Sequence, residues 1–232
     1  MKIAMFTDAY WPRVNGVTVS VDTFSLALVK AGHEVMIVCS EYPPRPGSAG
    51  GSTDPAREDI KLLRVPSRAV FFSPEDRAAK LSKRKWTEEQ LDGFSPDIVH
   101  VNTEFLIADF GFSYAKKRRI PAVYTFHTIW EDYAINYFPY VPEGILRFVV
   151  RKFQKRLLKR SDLIIVPTPQ IEEMVRAYGV KKEIRRLPTG VDPALFRHGK
   201  NELEAFRARV EKQYPQMRGK RILLFAGRAS HE

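Results

Sequence analysis

The sequence predicts a doubly wound α/β domain, a parallel Rossmann-like sheet with helices on both faces, over residues 1–190. Two observations predict it. Short apolar runs rich in Val and Ile alternate with longer amphipathic stretches. Repeated strand–helix alternation also calls for right-handed crossovers between parallel strands, covered by helices on both sides.

The elements follow in order. Lys2 to Phe6 reads as a strand. Val17 to Lys30 reads as a helix, because Val17, Val21, Phe24 and Leu28 recur at helical spacing and Ala31-Gly32 ends the pattern. Glu34 to Cys39 is the next strand. Pro43 to Asp59, rich in Pro, Gly and Ser, reads as a loop. Ile60 to Val65 reads as a strand and Pro74 to Leu91 as a helix with a basic face. Strands are then expected at Asp97 to Val101, Ala122 to Phe126, Asp162 to Val166 and Glu183 to Leu187. Helices are expected at Phe105 to Arg119, Glu143 to Arg160 and Pro169 to Tyr178. Residues 191–220 read as a connector followed by a helix, Glu202 to Gln213. Residues 221–232 read as the first strand and Gly turn of a second α/β domain.

Composition narrows the class. Apolar residues make up 44% and charged residues 28%, as in folded globular chains. Asp8 interrupts the first apolar run after a few residues, too soon for a secretory signal. No segment reaches the ~20 apolar residues of a membrane-spanning helix. A single cysteine, Cys39, leaves no internal disulfide, and a reducing, cytoplasmic setting is the expectation. The net charge of +11 attracts phosphates on nucleic acid, anionic lipid or sugar nucleotide. No helix-turn-helix, RNP or zinc pattern supports nucleic acid, so none is expected as a partner.

Ligands of open parallel sheets bind at the carboxyl ends of the strands. After the first strand come Asp8, Asn15 and Gly16, immediately before a helix. Gly16 lets a ligand approach the backbone, and free N–H groups at a helix start favour an anion; Asn15-Gly16 is equally an ordinary turn. The G-x-G-x-x-G fingerprint is absent, which disfavours a dehydrogenase. Asn102, Thr103 and Glu104 follow the fourth strand; His127, Thr128, Glu131 and Asp132 follow the fifth. A histidine there can bond a substrate hydroxyl or stabilise developing charge, or be satisfied by nearby backbone. His100, inside its strand, reads as a buried, hydrogen-bonded histidine. Glu131 and Asp132 suit hydroxyl binding, helix capping or solvent.

The segments MKIAMFTDAYWPRVNGVTVSV, AGHEVMIV, PDIVHVNTEF, IPAVYTFHT, SDLIIVPT, LPTGVDPALF and LLFAGR, in this order, resemble retaining GT-B glycosyltransferases of family 4. The segment FHTIWEDYAINYF is similar to that of the diacylglycerol glucosyltransferases in particular. The resemblance implies two Rossmann-like domains facing a cleft, with residues 1–190 on the acceptor side. It implies His127 at the transferred sugar and Gly16 and Arg228 at the donor diphosphate, a role that suits a forked guanidinium. Asp8, Asn15, Thr103, Glu104, Glu131 and Asp132 are the expected acceptor-binding residues. No metal or bound cofactor is implied; the donor would be a UDP- or GDP-hexose. The family's diphosphate lysine and later carboxylates lie beyond Glu232, so the chain by itself is expected to be inactive.

Glu143 to Arg160 pairs an apolar stripe (Leu146, Val149, Val150, Phe153, Leu157) with seven cations, Arg147, Arg151, Lys152, Lys155, Arg156, Lys159 and Arg160. It reads either as a helix packed on the sheet or as one adhering to anionic lipid. With Trp130, Tyr133, Tyr137 and Phe138 nearby, a lipid acceptor leads and a peripheral membrane location follows; soluble or polysaccharide acceptors are the next reading. A non-catalytic lipid- or partner-binding protein is the rival from another class. Open edges on a terminal strand would also suit pairing with a second copy.

Overall fold

The computed structural model describes residues 1–43, 58–71, 73–191, 193 and 197–224. Two compact units divide at Thr189 and Gly190. The first is built on a seven-stranded sheet of order β3-β2-β1-β6-β7-β8-β9, every neighbouring pair parallel. Its strands are β1 Lys2–Thr7, β2 Glu34–Ser40, β3 Ile60–Val65, β6 Ile98–Val101, β7 Ala122–Thr125, β8 Leu163–Val166 and β9 Glu183–Arg186. The helices between them are α1 Gly16–Lys30, α2 Arg84–Phe94, α3 Leu106–Arg118, α4 Trp130–Tyr137, α5 Glu143–Arg160 and α6 Pro169–Ala177. This is the doubly wound, Rossmann-like architecture expected from the sequence.

The period-two pattern of β1 serves both faces. Ile3 and Met5 join Val21, Val35 and Ile37 in one core, against which Val17, Phe24 and Leu28 of α1 pack. Ala4 and Phe6 point the other way, into the larger core with Phe110, Phe112, Tyr124, Leu157 and Ile164. A sheet buried on both faces needs apolar residues at successive positions, which is why these strands read as continuous apolar runs.

Gly111 lets α3 approach that second face. A Cβ there would fall 2.7 Å from Cγ of the fully buried Phe6 ring. Gly111→Ala should gain up to about 1 kcal/mol of helix propensity and lose about 1–3 kcal/mol to overpacking. The expected outcome is a net loss of about 1 kcal/mol in urea unfolding. Unchanged or raised stability would mean that Phe6 yields without cost.

The structure corrects the region after β3. The sequence Ser73-Pro74-Glu75-Asp76-Arg77-Ala78-Ala79 has helix-forming composition, yet it forms β5 (Ser73–Ala79), antiparallel to β4 (Ser67–Val70). Tertiary pairing overrides propensity here: Ser67 pairs with Ala79, and Arg13 from the loop after β1 binds Glu75 and, at 3.4 Å, Asp76. The helix begins only at Arg84. Trp130–Tyr137, read only as a chain of aromatic and acidic residues, forms α4. The Pro43–Asp59 loop falls mostly outside the described residues.

In the second unit, α7 (Lys200–Gln213) begins two residues before the expected Glu202. Its start is closed by Glu202, whose carboxylate accepts from the Gly199 N–H at 3.0 Å. Residues 221–224 form no strand, and Leu223 and Leu224 are exposed. A strand without a neighbour has no ladder to complete. Residues 225–232, with Arg228, lie outside the described residues.

Candidate active site

The strand order reverses at β1, which lies between β2 and β6. That reversal opens a crevice at the carboxyl ends of β1 and β6, where ligands of such sheets bind. Asp8, just past β1, is buried there. Its carboxylate accepts from Thr103 Oγ1 at 2.7 Å and from the backbone N–H groups of Ile107 (3.0 Å) and Phe105 (3.2 Å). Its own N–H donates to Thr103 Oγ1 at 2.8 Å. Asp8 therefore caps α3, whose preceding residue Phe105 supplies no side-chain cap. Burial raises the Asp8 carboxyl pKa, and these hydrogen bonds pull against that rise. The charged oxygens of Asp8 and the hydroxyl of Thr103 are thus spent on joining the two loops.

Asn15 is the N-cap of α1, accepting from the Thr18 N–H at 2.8 Å. Gly16 is the first residue of that helix, and a Cβ added to it would meet nothing within 4 Å. Packing does not demand glycine here; the space beside the helix start is open, next to N–H groups that favour an anion.

Glu104 is buried after β6 and accepts from the Tyr124 hydroxyl at 3.0 Å. The Trp130 indole approaches the same carboxyl group without closing to a full hydrogen bond. Burial, with the Asp8 charge beside it, pushes the Glu104 pKa up to about 7 against the pull of those two groups. Trp130 also meets Phe105 edge-on, ring centroids 5.0 Å apart. The loops after β1, β6 and β7 are thereby brought together through Asp8–Thr103, Glu104–Tyr124 and Phe105–Trp130.

His127 ends this row. Its Nε2 is buried with no hydrogen-bond partner, and burial lowers its pKa to about 4. His100 is the buried, bonded histidine expected, with Nε2 2.7 Å from Thr125 Oγ1. Burial, then the charge of a protonated His127, lowers the His100 pKa to about 3.

Glu131 and Asp132 turn elsewhere. Both oxygens of Glu131 are held by Arg151 of α5, from Nε at 3.1 Å and Nη2 at 3.0 Å, and Tyr178, just past α6, also donates to it. The Arg151 hydrogen bonds keep the Glu131 pKa low. Asp132 is exposed and meets Arg147 at 3.5 Å. Glu131, Asp132, Arg147, Arg151 and Tyr178 line a cavity of about 240 Å³ among α4, α5 and α6. Gln154, Tyr178 and Trp130 thus take structural roles near the site that spacing did not single out; only the Trp130 aromatic was noted in the sequence.

Residues 14–195 match Glycosyltransferase Family 4. The chain belongs to that family. It is 31% identical to an alpha-monoglucosyldiacylglycerol synthase of Streptococcus pneumoniae, over 100% of this chain and 50% of that protein. It is 29% identical to the synthase of that name from Acholeplasma laidlawii, over 91% of this chain and 52% of the relative. A GDP-mannose-dependent alpha-mannosyltransferase of Mycolicibacterium smegmatis is 28% identical over 83% of this chain and 48% of the relative. The chain thus spans about half the length of these curated relatives. Among solved structures, a sucrose-phosphate synthase from Thermosynechococcus elongatus superposes with a TM-score of 0.59 at 15% identity, over 89% of this chain and 52% of that one. WaaG, a glycosyltransferase involved in lipopolysaccharide biosynthesis, gives 0.55 at 16%, over 90% and 51%. These likenesses carry the fold, which is that of a GT-B glycosyltransferase domain.

In this family 4 chain His127 is neutral at neutral pH. The unfolded chain binds the proton more readily than the folded one. The histidine therefore contributes stability that is full above its ordinary pKa of 6.5 and lost as pH falls through about 4. In proton NMR its ring resonances are expected to stay constant down to about pH 5. A midpoint near 6.5 would place the ring in water.

Proposed function

We propose that this chain is the acceptor-side half of a retaining glycosyltransferase. It would move a hexose from a UDP- or GDP-linked donor to a glycerolipid at the cytoplasmic face of an anionic membrane. The observation that carries the lipid reading is the outer face of α5. Ile145, Phe148 and Val149 are 58%, 67% and 54% exposed, and Phe153 is exposed beside Lys152 and Arg156. These residues follow one another at helical spacing, so apolar and cationic side chains share an outward stripe. Of the apolar stripe expected to pack on the sheet, Leu146 and Leu157 are buried, whereas Val149 and Phe153 face out. An exposed apolar face set among cations fits the interface of an anionic bilayer. The names of the glycolipid synthases among the relatives support the same acceptor class.

In this reading the diphosphate lies by the open start of α1 at Gly16. Neutral His127 faces the transferred sugar as positive charge develops at its anomeric carbon. The acceptor hydroxyl enters the face that the diphosphate leaves and gives its proton to a departing diphosphate oxygen, so configuration is retained and the step balances. Asp8, Asn15, Thr103 and Glu104 shape the acceptor crevice, Asp8 and Thr103 by holding its loops.

The test is transfer by the protein extended to the length of its relatives, with UDP- and GDP-sugars offered to mixed vesicles or to soluble acceptors, and products read by mass. A glycolipid product is expected. Phe148→Asp should lower vesicle binding by about tenfold or more, through loss of about 1.5–3 kcal/mol of apolar burial and repulsion from anionic headgroups. Products on soluble acceptors alone, with Phe148→Asp silent, would overturn the lipid reading. No product with any donor would favour a binding protein.

A further inference from the structure

The outward stripe of α5 has a buried reverse side, and that side is polar at one point. Gln154 is fully buried in the middle of α5. Its Nε2 donates to the Thr128 carbonyl at 3.0 Å. Its Oε1 lies 3.2 Å from the Tyr178 hydroxyl and shares that group's single proton with Glu131. Three residues earlier, Arg151 grips both oxygens of Glu131. Two side chains of α5 thus hold Thr128 and Glu131, the two ends of the short segment that follows His127 and contains Trp130. Trp130 in turn meets Phe105 and the Glu104 carboxyl group, in the loop after β6.

A packed helix does not need this arrangement. Leucine at position 154 would fill the space without a buried amide to satisfy, as Leu157 and Leu158 do one turn on. A glutamine in that place costs desolvation unless both ends of its amide are bonded, and here each end meets a group of a different element. The partners are directional, so Gln154 and Arg151 fix where the Thr128 carbonyl and the Glu131 carboxylate stand relative to α5.

We propose that Gln154, with Arg151 and Tyr178, is a positioning linkage that transmits contact of the α5 outer face with an anionic lipid surface to the His127 segment. The inference rests on the membrane reading of α5. Surface contact and the geometry of residues 127–131 are then coupled reciprocally: the surface orders the segment, and an ordered segment strengthens surface binding. Gln154 touches neither lipid nor sugar; it acts through the Thr128 backbone.

Amide hydrogen exchange of the 232-residue chain tests this, with and without vesicles of phosphatidylcholine and phosphatidylglycerol. In the native chain, vesicles should slow exchange in residues 145–156 and also in 127–133, the latter by about fivefold, the lower end of ordinary coupling between sites. Gln154→Leu should bind the same vesicles, since residue 154 is not on the outer face, and lose the slowing at 127–133. Gln154→Glu, which keeps an acceptor for Tyr178, should restore part of it at about pH 5. If Gln154→Leu does not fold, Tyr178→Phe, which deletes one hydroxyl, should weaken the same response. Vesicle binding with no change at 127–133 in the native chain overturns the linkage and leaves the membrane reading standing. An undiminished response in Gln154→Leu, or in Tyr178→Phe where that variant stands in, overturns it as well. No binding to vesicles of any composition overturns the membrane reading and the linkage together.

Discussion

Asp8→Ala is expected to destabilise the 1–189 unit by about 3 kcal/mol. Three donors lose their acceptor at once: the Thr103 hydroxyl and the backbone N–H groups of Phe105 and Ile107. Two of them are at the start of α3, where no other side chain caps. A helix cap is worth about 1 kcal/mol and a hydrogen bond to a charged group about 1.5–3 kcal/mol, and the contributions overlap because one carboxylate makes them all. Against this stands the cost of burying the charge, which already raises the Asp8 pKa and which alanine removes. The orphaned donors prevail because they stay buried when their acceptor goes. At an m-value of about 2 kcal/mol per molar, the urea midpoint should fall by roughly 1.5 M. Asp8→Asn keeps an acceptor and the shape and should lose about half as much. A midpoint within about 0.3 M of wild type for Asp8→Ala would show that water reaches these donors, and the crevice would then be wetter than its burial indicates.

On the proposed mechanism, His127→Ala should lower transfer by the protein extended to the length of its relatives by tenfold or more, and should cost far less in the urea midpoint than Asp8→Ala; removing a hydrogen-bonding group from a transition state commonly costs about 10²–10³ in rate. The two effects separate because His127 Nε2 bonds nothing in the protein. Its loss removes no internal hydrogen bond, in contrast to His100, which is tied to Thr125. With a pKa of about 4 the ring is neutral at working pH, so its contribution to rate should be flat from about pH 6 to 8. Near-wild-type turnover would take His127 out of the mechanism. A stability loss as large as the rate loss would reassign it to packing.

Much of this molecule is legible in its sequence, for a local reason. A sheet buried on both faces needs unbroken apolar runs, and helices laid on it need one apolar stripe. Those patterns belong to contiguous residues, so β1, β2, β6 to β8 and most helix ends can be read directly. That Gly16 and His127 follow the carboxyl ends of β1 and β7 is legible because strand ends can be read locally. The partnerships among side chains were a matter for the tertiary structure. Residues 73–79 have helical propensity, yet they pair with Ser67–Val70 and meet Arg13, some sixty residues earlier. Asp8 and Thr103 look alike as substrate-binding polar residues until the fold puts them 2.7 Å apart and spends each on the other. Glu131 looks like a neighbour of His127, but its direction was decided by Arg151 and Tyr178. The sequence by itself determined the architecture and which residues follow the carboxyl ends of its strands, because burial patterns repeat locally. Which polar groups remain free for a ligand was decided only by the tertiary structure, because satisfying a buried charge takes partners that the chain brings from a distance.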